Sequence, residues 1–198
     1  MRVGVLALQG DVREHISSLN SCGVEAVSVR RYAEIESVDA LVLPGGESTT
    51  IAQLSEIFGI YDLIRQRINT GMPTYGSCAG MILLADTILD AKAGQKTFGG
   101  LDITVRRNAF GRQIDSFESD IEFVDGSPDL MRAIFIRAPW VEQVGSDVEV
   151  LASVDSHAVA VRSQTLLATS FHPEITADNR IHKYFIEHVA TPALQRLK

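Results

Sequence analysis

The apolar residues of this chain follow two rhythms. In the first half, continuous apolar runs alternate with stretches in which apolar residues return every three or four positions, the signature of strands followed by helices. Residues 2–8 (RVGVLAL) read as a buried strand and 11–23 (DVREHISSLNSCG) as a helix. On that helix Val12, His15/Ile16, Leu19 and Cys22 share one face, Asp11 with Glu14 makes a capping-box-like start, and Gly23 is the stop. Residues 24–29 and 38–44 are the next strands, the second continuously apolar, as in a parallel sheet covered on both faces. A helix over 48–59 with Ser48 as N-cap continues through 60–68 and ends at Gly71. A short strand over 72–76 and a short apolar helix over 79–86 follow.

The second half is richer in strands. Residues 101–107, 119–124, 133–138, 148–154, 158–162 and 166–171 are short β-runs separated by turn residues. A last helix, roughly 177–190, carries Ile181, Tyr184, Phe185 and Val189 on one face. The early β-α alternation predicts an α/β fold: a doubly wound, mostly parallel sheet flanked by helices, with additional antiparallel strands. No linker, repeat or low-complexity tract interrupts it, so residues 1–198 are expected to form a single domain. Ligands of such sheets bind at the carboxyl ends of the strands, which directs attention to the loops after residues 8, 43, 76 and 171.

Composition narrows the class. At 198 residues, with 45% hydrophobic and 22% charged, the chain has the makings of a sizeable core and none of the marks of disorder. A net charge of -7 without a Lys/Arg block argues against a nucleic-acid or anionic-membrane surface. No run reaches transmembrane length. The N-terminal segment reads as a strand rather than a signal peptide, and two cysteines make neither a disulfide framework nor a metal site by spacing. The expected compartment is a reducing cytoplasm.

Four loops carry candidate chemistry. Gly76-Ser77-Cys78-Ala79-Gly80 has the G-x-nucleophile-x-G form between a strand and a helix, the nucleophile elbow with cysteine in place of serine. The small neighbours allow a sharp turn, and the sulfur sits at a helix N-terminus, where the dipole favours a thiolate. Taken alone, the same residues also describe a buried thiol in a Gly-containing turn. In SFHPE (170–174), His172 and Glu174 stand two apart on a stretch that Pro173 biases to extended geometry, so both side chains point the same way. A carboxylate can then orient one ring nitrogen while the other faces a nucleophile; taken alone, the pair is equally a surface His beside a capping Glu. PGGES (44–48) exposes backbone N–H groups that can serve an oxyanion together with the Ala79 N–H, although on its own it is a plain turn before a helix. It lacks the Lys of a P-loop. Arg106, Arg107, Arg112 and Arg137 lie in two further loops, and one guanidinium could hold a substrate carboxylate. Cys22 reads as a core residue, and His15, His157, His182 and His188 as surface or structural groups.

The combination of Gly76-x-Cys78-x-Gly80, His172-Pro173-Glu174 and a separate PGG loop resembles the class I, triad-type glutamine amidotransferases. The strings GVLALQGDVREH, LPGGESTT, GSCAGMILLA, RNAFGRQIDSFE, FIRAP and SFHPE, in order along nearly the whole chain, are similar to the glutaminase-subunit family of pyridoxal 5'-phosphate synthases. Ser77 stands where that family commonly has threonine, and residues 86–98 and 142–149 are individual. The resemblance implies Cys78 as nucleophile, His172 as general acid/base and Glu174 as its orienter. It implies Gly46 and Ala79 as oxyanion donors, and Gly46, Glu47, Ser48, Arg107, Ile136 and Arg137 as contacts to L-glutamine. It implies no metal or cofactor in this subunit, and a separate (β/α)₈ synthase partner that consumes the ammonia. Alternatives of other kinds remain at this stage: the glutaminase of another amidotransferase, a cysteine peptidase or chaperone-like member of the same α/β group, or a non-catalytic binding module.

Overall fold

The computed structural model describes residues 1–107, 109, 116–125 and 127–196. Its spine is a ten-stranded sheet. Five strands are parallel: β1 (Arg2–Leu6), β2 (Glu25–Val29), β3 (Ala40–Leu43), β4 (Thr74–Ser77) and β12 (Leu166–Thr169), in the order β2-β1-β3-β4-β12. Beyond β12 the sheet turns antiparallel through β11 (His157–Arg162), β9 (Trp140–Val144) and β6 (Leu101–Arg106). The edge strand β5 (Ala85–Leu89) is parallel to β6, and β10 (Glu149–Val154) pairs with β11. A separate hairpin joins β7 (Ser116–Ile121) to β8 (Met131–Ile136). The α/β architecture is therefore the expected one.

Two apolar cores lie on opposite faces of the sheet, and the period of two in the strands feeds both. In β3, Leu41 and Leu43 enter one core while Ala40 and Val42 enter the other. That explains why this strand is apolar throughout. The first core is covered by α2 (Tyr32–Glu36), α3 (Ser48–Ile57), α4 (Tyr61–Asn69) and α5 (Ala79–Leu84), through Ile35, Ile51, Ile64 and Met81. The second is covered by α1 (Val12–Ser21) and by a C-terminal run of α6 (Arg180–Tyr184), a π-wound stretch Phe185–Ala190 and α7 (Thr191–Arg196).

Several expected boundaries moved. Residues 48–68 are two helices, because Gly59 adopts φ +67° and closes α3. Its N–H donates to Glu56 O and the Ile60 N–H to Ser55 O, both at 2.9 Å, the paired bonds of a Schellman stop. Glu47, not Ser48, caps α3: its carboxylate accepts from the Thr50 N–H at 2.8 Å. Asp11 precedes α1 without a side-chain cap bond. The hairpin strands sit two or three residues earlier than expected, in the register that opposes Ser116 to Ile136. The last helix starts at Arg180 rather than near 177.

Candidate active site

The elbow is a strained turn. Cys78 sits at φ 49°, ψ −100°, a conformation non-glycine residues rarely adopt, between the end of β4 and the start of α5. Its flanking glycines are required by close packing. A Cβ on Gly76 would lie 2.4 Å from the Gly80 carbonyl carbon, and one on Gly80 would lie 2.2 Å from Leu43 O of β3. The turn is tied to the neighbouring strand by the Cys78 N–H donating to Thr169 O at 2.7 Å.

The next strand delivers an imidazole. His172 and Glu174 follow β12, both nearly fully buried, and His172 Nδ1 lies 2.8 Å from Glu174 Oε1. The His172 N–H donates to Ile134 O of β8, and Ile136 O of the same strand faces Cys78 Sγ at 3.9 Å. Gly45 lets the PGG loop approach, since a Cβ there would meet His172 Cε1 at 2.4 Å. Burial works against a charge on His172, but hydrogen bonds to Cys78 and Glu174 outweigh it and push its pKa up to about 10. Asp11 Oδ2 lies 3.6 Å from the same Nδ1. Asp11, His172 and Glu174 thus bring ligand-type atoms within 4.8 Å of one another. Within the trio the hydrogen bond runs from His172 Nδ1 to Glu174, with Asp11 beside it at ion-pair distance.

Beside the sulfur lies a cavity of about 180 Å³. Its lining brings together Gly46, Glu47, Ser48, Arg107, Ile136 and Arg137 with Cys78 and Ala79. Ile82 and Lys92 complete the wall and were not anticipated from sequence. Ala79 opens α5, where the first N–H has no partner inside its own helix. Gly46 holds φ +143°. Arg137 takes φ 45°, an uncommon left-handed conformation, as the chain leaves β8.

The polar wall is cross-linked. Arg107 Nη2 donates to Glu47 Oε1 at 3.0 Å and Nη1 to Gln95 Oε1 at 2.6 Å, while Gln95 Nε2 donates to Ser48 Oγ at 3.1 Å. Burial opposes a charge on Glu47, but bonds from Thr49 Oγ1 and from the N–H and Oγ1 of Thr50 bring its pKa down to about 2. Gln95 belongs to the individual segment 86–98, which offered no motif to read.

Not every candidate joins the site. Arg106 pairs with Glu142 and Asp90 on the sheet surface, and Arg112 lies outside the described residues, as does most of the RNAFGRQ string. Cys22 is half-buried against the second core. His157 stacks on Trp140, and His188 lies against Tyr184. His15 and His182 are completely buried and hydrogen-bonded to each other at 2.9 Å, behind the His172–Glu174 pair. The signal for His15 was its place on the apolar face of α1.

The fold and this cavity match a known class. Residues 5–191 fit the family described as SNO glutamine amidotransferase, and the chain belongs to that family. A solved crystal structure of a glutamine amidotransferase superposes with a TM-score of 0.86 at 47% identity, covering 93% of this chain and 97% of its own. More particularly, the chain is 60% identical over 199 residues to pyridoxal 5'-phosphate synthase subunit PdxT of Acidothermus cellulolyticus, covering 97% of this chain and 95% of that protein. It is 58% identical over 198 residues to the PdxT subunit of Streptomyces coelicolor, covering 98% and 97%.

Proposed function

We propose that this chain is the glutaminase subunit of a pyridoxal 5'-phosphate synthase, one domain over residues 1–198 that hydrolyses L-glutamine to L-glutamate and ammonia. The observation that carries the reading is the meeting of Cys78, hydrogen-bonded to His172, with the Glu47–Arg107 wall at one cavity, in a chain of the glutamine amidotransferase family. Cys78 attacks the side-chain amide carbon with its thiol proton held on His172. The oxyanion takes the N–H groups of Gly46 and Ala79. His172 returns the proton to the departing nitrogen, which leaves as ammonia, and Glu174 keeps the imidazole oriented. Water, deprotonated by His172, then opens the γ-glutamyl thioester and releases glutamate.

The wall beside the sulfur suits an amino acid. Glu47 and Arg107 offer one charge of each sign, and Arg137 offers a second cation for the substrate carboxylate. Ammonia in neutral water is mostly protonated and no nucleophile, so a separate (β/α)₈ synthase subunit must receive it through a shielded path. The chain works in a reducing cytoplasm, where the elbow thiol stays free. Among the described residues no helix is long and apolar enough to cross a membrane.

The test is glutamate release by wild type and Cys78→Ala, each with and without the purified synthase subunit. The expected result is turnover that rises when the synthase is added and vanishes in the variant. Near-normal turnover by Cys78→Ala would sink the assignment, and full activity without synthase would refute the expected dependence on the partner. Labelling of Cys78 by acivicin separates the enzyme from a non-catalytic binding module.

A further inference from the structure

Behind the His172–Glu174 pair lies a buried polar cluster that the reaction scheme does not use. Glu174 gives Oε1 to His172, but its Oε2 is buried with no hydrogen-bond partner among the described residues. A carboxylate oxygen left bare in a protein interior is costly. The polar group facing it is the imidazole of His15 on α1, with Nε2 at 3.5 Å. The same Nε2 lies 3.0 Å from Ser77 Oγ, one residue before the elbow cysteine. Its other nitrogen, Nδ1, lies 2.9 Å from His182 Nε2 on α6.

We propose, resting on the glutaminase reading above, that His15 is a positioning residue for Glu174: its Nε2–H faces the carboxylate oxygen that His172 leaves free, and His182 fixes which ring nitrogen carries that proton.

The tautomers follow from the one ring nitrogen that has no partner. His182 Nδ1 is buried and unpaired among the described residues. An orphaned N–H is the rarer defect, so the His182 proton belongs on Nε2, where it donates to His15 Nδ1. His15 must then carry its own proton on Nε2, forked between Ser77 Oγ and Glu174 Oε2. Burial first, then the charges of His182 and His172, hold His15 well below the usual histidine range, so it acts as a neutral donor. The groups packed around it are Tyr75 and Ser77 of β4, Glu174 and His172 of the loop after β12, and His182 of α6. At 3.5 Å the contact to Glu174 is longer than a hydrogen bond. Catalytic contacts often run long without substrate and tighten in the Michaelis complex.

The test compares two variants of similar polarity and different reach, assayed with the synthase subunit present. In His15→Gln the side-chain amide reaches the position of Nε2. In His15→Asn it reaches only that of Nδ1, so it meets His182 and misses Glu174. The expected result is a kcat about 10- to 100-fold lower for His15→Asn, the size of a lost bond to a charged group, with KM for glutamine unchanged and with rescue in His15→Gln. Without the N–H, the Glu174 carboxylate is less favoured and supports the His172 imidazolium less. The His172 titration, followed by imidazole NMR, therefore moves to lower pH in His15→Asn and stays in place in His15→Gln. If the two variants match wild type, or lose activity in parallel with melting temperature and leave the His172 titration unmoved, the proposal is overturned. A wild type without glutaminase activity would instead sink the reading of the function, and the NMR titration would still decide the role of His15.

Discussion

Replacing Gly45 by alanine isolates how closely the PGG loop holds the His172 ring. Gly45 is not among the glycines held at positive φ, so alanine meets no backbone strain there. What it meets is the ring: the new Cβ lies 2.4 Å from His172 Cε1 and 2.9 Å from Nδ1. Restoring even a tight 3.4 Å contact from 2.4 Å displaces the imidazole by about 1 Å. That displacement is enough to break the 2.8 Å bond to Glu174 and to withdraw the other nitrogen from Cys78. A misplacement of about 1 Å in a reacting group costs on the order of 10²-fold in rate. Overpacking in a core costs about 1–3 kcal/mol, and at this chain length each kcal/mol lowers Tm by about 2–4 °C. The assay is glutamate release with saturating synthase, beside thermal melting followed by circular dichroism. The control is Gly71→Ala, at φ +95° with nothing within 4 Å, which should lose stability through its backbone and keep its turnover. Wild-type turnover by Gly45→Ala, or a comparable rate loss in Gly71→Ala, would refute the reasoning.

Other outcomes follow from the same geometry. Gln95→Ala should raise KM for glutamine several-fold with a smaller change in kcat, because it frees Arg107 and Ser48 without touching Cys78; an unchanged KM counts against the cross-link. The depressed pKa of Glu47, about 2, makes its contribution to stability present above pH 4.5 and lost as the pH falls through 2. Glu47→Gln should therefore flatten the acid limb of the stability curve in that window, as read from urea midpoints. His182 runs the other way: burial lowers its pKa from 6.5 to about 4, so the unfolded chain takes up the proton first and stability falls as the pH drops from 6.5 towards 4. That span is worth about 3 kcal/mol, and His182→Leu should remove this share of the pH slope there, the remainder coming from His15, which burial also holds below the usual histidine range. His172, raised to about 10, contributes stability that is full below pH 6.5 and lost as the pH rises through 10, so His172→Gln should flatten the alkaline limb.

Much of this was legible in the sequence, for physical reasons that differ by residue. Strands β1, β3 and β12 are buried on both faces, and largely apolar runs announce them, while β4 (TYGS) is as deeply buried but carries Thr, Gly and Ser. The elbow and the PGG loop were legible because they follow the adjacent parallel strands β4 and β3, whereas Arg107, Ile136 and Arg137, which come from β6 and the β7–β8 hairpin, were assigned as glutamine contacts by the family resemblance alone. What escaped had weak local patterns. Strand β9 (WVEQV) alternates apolar with polar over only five residues, β5 exposes Asp86 and Thr87, and α2 is a single short helix. Ser48 looked the better cap by residue type, yet Glu47 reaches Thr50 while pairing with Arg107, a contact 60 residues away in the chain. His15 occupied an apolar helical position without a local partner pattern and read as a surface or structural group. Its partners Ser77, Glu174 and His182 lie far along the chain, beyond the reach of any local pattern.

The order of strands in the sheet bears on how the chain is made. Strand β12 lies between β4 and β11 and pairs Thr169 with Ser77, so the elbow is finished by residues about ninety positions later. On a ribosome, Cys78 emerges well before His172, and the early strands can pair while the slot beside β4 is still empty. A half-made chain thus carries a thiol with no imidazole at its side. The two groups come together only when the last parallel strand pairs beside the elbow. A chain that stops before β12 lacks the imidazole altogether, so the order of translation sets when thiol and imidazole meet.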